Sequence, residues 1–104
     1  MRKLRINPIA RKDLLEIKKY ISEELGNPTA AEKIISQIVE SYEKLKDFPL
    51  IGVELSSRID MITDFRYLVS GKYIGFYKVD DVYVSIYRIF YGRRDYARIL
   101  LDEG

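Results

Sequence analysis

FRYLVSGKYIGFYKVDDVYVSIYRIFY, residues 65–91, settles the fold class. Phe65–Ser70, Lys72–Val79 and Val82–Tyr91 are runs rich in β-branched and aromatic residues, the types that suit a pleated, half-buried surface. Gly71 separates the first two runs and Asp80-Asp81 the last two; both suit tight turns. Three strands joined this closely are expected to pair as an antiparallel meander.

Upstream the periodicity changes. Residues 50–63 show no clean period, and Gly52, Ser56 and Ser57 mark them as a loop. Before it, Ala31, Ile34, Ile35, Ile38, Tyr42 and Leu45 fall on one face of a long helix that ends at Asp47-Phe48-Pro49, because the residue before a proline disfavours helix. Asn27-Pro28-Thr29 starts that helix, and Thr29 and Glu32 have capping-box spacing. An earlier helix begins at Asn7-Pro8, carries the stripe Leu14, Ile17, Ile21 and Leu25, and stops at Gly26, where a left-handed residue is wanted. The short connection predicts an antiparallel helix hairpin. Lys3-Leu4-Arg5-Ile6 alternates and reads as an N-terminal strand.

The result is an α+β fold in one domain, residues 1–104: strand, helix hairpin, three-strand meander and a short C-terminal segment. The hairpin must cover one sheet face to bury its stripes, which leaves the other face partly exposed.

Composition excludes much chemistry. There is no cysteine and no histidine, so disulfides, thiolate metal sites and histidine-based nucleophile pairs are out. Acid–base work falls to Tyr, Lys, Arg, Asp or Glu. No metal cluster, phosphate-cradling glycine loop or paired-carboxylate site is recognisable, and no cofactor is expected. No apolar run is long enough to span a membrane, and no apolar signal region follows the charged N-terminus; a cytoplasmic protein is expected. The net charge is +2, and residues 58–98 hold eight Lys/Arg against five Asp/Glu. This tilt suits an anionic partner without demanding one.

The densest chemistry lies in Tyr87–Arg98, where four arginines and four aromatics occupy twelve residues. Arginine grips phosphate bidentately and aromatics stack on unpaired bases. The plain alternative is a tyrosine-rich strand packed on its sheet, with solvated arginines beyond it. Composition divides evenly between the two. Strict alternation puts Val82, Val84, Ile86 and Phe90 on a core face and Tyr83, Ser85, Tyr87, Ile89 and Tyr91 on the other. Arg88 then falls on the apolar side, where it must either emerge near the sheet edge or pair with an acid, for which Asp64 is one candidate. Arg66 and Lys72 add charge from neighbouring strands. Gly75, in mid-strand, marks a bulge, a close backbone approach or a plain packing need. Asp13, Glu16, Glu23 and Glu24 alternate with basic residues and read as a solvated helix face.

Taken together, the Asn7-Pro8 helix start, Glu24-Leu25-Gly26-Asn27-Pro28, Asp47-Phe48-Pro49, Arg66–Val79 and Tyr87–Tyr96 resemble the RelE/ParE toxin superfamily over nearly the whole chain. The resemblance implies the toxin of a type II toxin–antitoxin system, with a cognate antitoxin as partner. RelE-like members cut messenger RNA on the ribosome. ParE-like members inhibit DNA gyrase without known nuclease chemistry. Cleavage by ribose 2′-hydroxyl attack needs a base, an acid and positive charge at the phosphate. The resemblance, with the local chemistry, nominates Arg94, Arg66, Tyr91 and Tyr96 as catalytic, and Lys72, Tyr73, Tyr87, Arg88, Arg93 and Arg98 as RNA-binding. Two positions depart from the RelE-like pattern: Ile74 stands where a catalytic arginine is common, and Leu100 where a late tyrosine is expected. The density of Arg and Tyr favours ribosome-dependent messenger-RNA cleavage. The alternatives are gyrase inhibition by protein contact and a non-toxic member that only binds its antitoxin.

Overall fold

The computed structural model describes residues 1–92; Arg93, Arg94, Tyr96 and Arg98 lie outside the described residues. Strand β1 (Lys3–Ile6) leads into helix α1 (Pro8–Lys19), which widens into a π-helical turn at Tyr20–Glu24. Helix α2 (Pro28–Glu43) tightens into a 3₁₀ turn at Lys44–Lys46, and β2 (Val53–Glu54), β3 (Arg66–Ser70), β4 (Tyr73–Val79) and β5 (Tyr83–Tyr91) follow. The α+β order is the one expected, and no helix among the described residues is long and apolar enough to cross a membrane.

The break between the helices follows its local chemistry. Gly26 takes φ 61°, and the Asn27 N–H donates to the Ile21 carbonyl at 3.1 Å, a bond that ties up an orphan carbonyl beyond the last turn. Asn27, not Thr29, caps α2: its side chain accepts from the Ala30 N–H at 3.0 Å. Pro28 takes the first turn, so Thr29 lies inside the helix.

The meander pairs as expected, and two strands extend it. The sheet order is β1-β5-β4-β3-β2. β1 joins parallel to β5, with Leu4 opposite Val84 and Ile6 opposite Ile86. β2 arises within the expected loop and pairs only Val53 and Glu54 with β3. A two-residue strand is too short to show a period.

Strict alternation fails in β5. Phe76 pairs with Arg88 but Tyr77 pairs with Ile86, so Tyr87 is an extra residue in a β-bulge. The bulge exchanges the faces beyond it. Ile89 joins Val84, Ile86, Tyr77, Ile38, Tyr42, Leu45 and Ala10 in the core under the helices. Phe90 turns to the opposite face, with Ile74, Phe76, Leu55 and Phe65. That face is partly covered by the segment carrying Leu55, Ile59 and Phe65. Val82, expected in the core, is exposed, and Ser85, expected on the surface, is buried.

Helix α2 approaches the sheet over Gly75. A Cβ there would sit 2.6 Å from Tyr42 Cζ; what approaches Gly75 is a side chain and not a backbone, so of the three readings the packing need applies. The Tyr42 hydroxyl is buried and has no hydrogen-bond partner among the described residues. A buried unpaired hydroxyl costs about 1 kcal/mol or more, so Tyr42→Phe is expected to raise the unfolding free energy by about 1 kcal/mol in urea titrations. Burial raises the phenol pKa values of Tyr42, Tyr73 and Tyr77. The folded chain therefore holds these protons after the unfolded chain has begun to lose them. The stability is fully present below about pH 10 and falls as pH rises beyond it. Tyr42→Phe should flatten that alkaline fall.

Candidate functional surface

The nominated side chains among the described residues divide among four places. Tyr73, Tyr91 and Lys72 meet at the mouth of a cleft of about 1030 Å³ between the helix hairpin and one end of the sheet. The Tyr73 and Tyr91 rings meet edge to face at 5.8 Å, a consequence of their pairing across β4 and β5. The Gly92 N–H donates to the Lys72 carbonyl at 2.8 Å and closes this end. Apolar Ile17, Ile21, Ile34 and Ile89 line the interior, and Glu16 and Tyr20 its rim. Burial, then the nearby Tyr91 and Tyr20 phenols, raise the Tyr73 pKa; such a phenol keeps its proton and makes a poor general base.

Arg66 lies elsewhere. It opens β3, opposite Tyr77, whereas Tyr73 pairs with Ser70 at the other end of that strand, about 13 Å along it. Its guanidinium donates to the Gly52 carbonyl at 2.9 Å and to Glu54 at 3.1 Å. These bonds pin the α2–β3 connection.

Arg88 is held inside. Its Nε donates to Asp13 Oδ2 at 2.9 Å and its Nη2 to Oδ1 at 3.2 Å. The same carboxylate accepts the Ile89 N–H at 2.9 Å. The geometry follows from the short β1, whose pairing with β5 ends at Ile6–Ile86. Beyond it the β5 edge would lack an acceptor, and α1 supplies one from its inner face. Asp64, the acid first considered for Arg88, pairs instead with Lys78 at 3.2 Å. Tyr87 is on the face away from the helices, with its ring edge-on to Phe65 at 5.3 Å.

Thus Tyr73, Tyr91 and Lys72 are brought together, while Arg66, Arg88 and Tyr87 are not. Reading charge alternation as solvation missed Asp13. Its spacing was the signal: Ala10, Asp13, Ile17 and Ile21 recur at helical intervals, and Ala10, Asp13 and Ile21 are buried. Among the described residues, no group of acids could hold a metal ion.

Comparison with known proteins agrees with this architecture. The chain is similar in structure to the chromosomal ParDE toxin–antitoxin system from P. aeruginosa, with TM-score 0.72 and 24% identity over 86% of this chain and 94% of that one. It is also similar to the toxin–antitoxin complex RelBE2 from Mycobacterium tuberculosis, with TM-score 0.65 and 22% identity over 86% of this chain and 96% of that one. At such identities these two carry the fold alone. No curated protein matches the sequence. The family model described as ParE toxin of type II toxin–antitoxin system, parDE, matches residues 4–96. The match spans nearly every element described above, and on it the chain belongs to the ParE toxin family of type II toxin–antitoxin systems.

Proposed function

We propose that this toxin arrests growth by binding DNA gyrase in the cytoplasm, not by cutting RNA, and that a cognate antitoxin neutralises it. One observation carries the choice: among the described residues, the nominated Arg66, Arg88 and Tyr87 do structural work at separate places, away from Lys72, Tyr73 and Tyr91. Arg66 braces a loop, Arg88 is clamped by Asp13, and Tyr87 packs on Phe65 across the sheet. A nuclease needs a base, an acid and positive charge converging on one phosphate. Ile74, in the position where RelE-like toxins commonly carry arginine, is a buried core residue. The ParE family match supports the same choice. The names of the two structural relatives, a ParDE system and a RelBE2 complex, support an antitoxin partner.

Purified chain added to gyrase is expected to inhibit supercoiling, and added to ribosomes carrying message it should leave the message intact. Cleavage at ribosome-positioned codons would restore the RNA reading, with Arg94 and Tyr96 as the residues to test next. Antitoxin binding with neither activity would mark a non-toxic member.

A further inference from the structure

The cleft of about 1030 Å³ has an apolar interior and an aromatic mouth. Ile17, Ile21, Ile34 and Ile89 line it from α1, the π-helical turn, α2 and β5. Tyr20 and Leu25, also lining it, are 56% and 60% exposed. The described chain ends at this same place. Tyr91 lines the cleft, and the Gly92 N–H is tied to the Lys72 carbonyl at 2.8 Å. Residue 93 therefore starts at the mouth.

The sequence that follows is complementary to the cleft. At about 100° per residue, Tyr96, Ala97, Ile99, Leu100 and Leu101 share one side, and Arg94, Asp95, Arg98 and Asp102 the other. Arg93, the first residue past Gly92, falls on the apolar side. The mouth offers a cation what it needs: the Glu16 carboxylate and the rings of Tyr20 and Tyr91. We propose that in the free toxin residues 93–104 dock in this cleft as a short amphipathic helix, apolar side inward. The tether selects this occupant. A segment joined directly to the mouth is present there at an effective concentration of about millimolar, so a separate chain at lower concentration meets the cleft already filled. An antitoxin or a second copy that uses the cleft must displace the segment, and its apparent affinity falls with the fraction of molecules whose cleft is free. The proposal holds whichever target the toxin inhibits.

The chain has no cysteine, so single introduced thiols report on the segment directly. In the full chain, Leu100→Cys should react with a thiol reagent at least about tenfold more slowly than Asp102→Cys, each rate taken relative to its value in urea. Adding Ala30→Trp, which fills the cleft from α2, should bring the two rates together while the circular dichroism stays that of the folded chain. If that variant fails to fold, Gln37→Trp, from an exposed position on the same cleft, takes its place. Equal rates in the unfilled chain overturn the proposal and leave the cleft to another chain, such as the antitoxin. Slow reaction at position 100 that persists in the folded, cleft-filled variant also overturns it, since the segment then docks elsewhere. Protection that vanishes on dilution, together with a dimer in sedimentation, overturns it too, because the cleft then holds the segment of a second copy.

Discussion

Asp13→Ala is expected to destabilise the fold by about 3–5 kcal/mol, the range for removing one partner of a buried ion pair. Three donors lose their acceptor together: Arg88 Nε, Arg88 Nη2 and the Ile89 N–H. The side chains are 15% and 9% exposed, so water replaces the carboxylate poorly. A domain of this size is stable by about 5–15 kcal/mol in all, so the loss is a large fraction of the total. Asp13→Asn keeps an acceptor for the Ile89 N–H but takes the negative charge away from the guanidinium, and its loss should be smaller. Removing both charges in Asp13→Leu/Arg88→Met should recover part of the stability, because much of the penalty arises from a buried guanidinium that has lost its carboxylate. Urea unfolding of the four chains checks this. A loss below about 1 kcal/mol for Asp13→Ala would mean the pair does not hold β5 to α1.

The same pair shows where sequence reasoning succeeds and stops. The three meander strands and both helices are legible because each repeats a period over several turns or pleats. β2, with two residues, repeats nothing. The Tyr87 bulge leaves no compositional mark, yet it exchanges the faces of Ile89 and Phe90 and so redraws the surface. Arg88 on an apolar face did raise an acid partner as one of two outcomes. Which acid it was depends on α1 crossing a strand 75 residues later in sequence, and no local pattern distinguishes Asp13 from Asp64, the candidate first considered. The exposed apolar loop at residues 48–53 was hidden for a related reason. Phe48-Pro49-Leu50-Ile51 resembles any buried run until Tyr77 and Arg66 are seen holding its backbone. Four of the ten residues nominated for the site, Arg93, Arg94, Tyr96 and Arg98, fall beyond the described residues.

Gly75→Ala is expected to cost about 2–3 kcal/mol, as overpacking does in a filled core. The new methyl would lie 2.6 Å from Tyr42 Cζ and 2.7 Å from Cε1. Tyr42 is fully buried between α2 and the sheet, so its ring has no space into which to swing. The neighbours at that level, Leu68 on β3 and Ile89 on β5, are fixed by the ladder that pairs them with Gly75. Relief must therefore come from lifting α2 or from shrinking Tyr42. Tyr42→Leu alone should cost about 2–4 kcal/mol through the cavity it leaves. Combined with Gly75→Ala, the smaller side chain admits the methyl, and the methyl fills part of the cavity. The double variant should thus lose about 1–2 kcal/mol less than the sum of the singles, a coupling typical of residues in contact. If the losses simply add within about 0.5 kcal/mol, the glycine serves the strand's twist and not the approach of α2. A coupling of the expected size would show that one missing side chain lets α2 settle on the sheet.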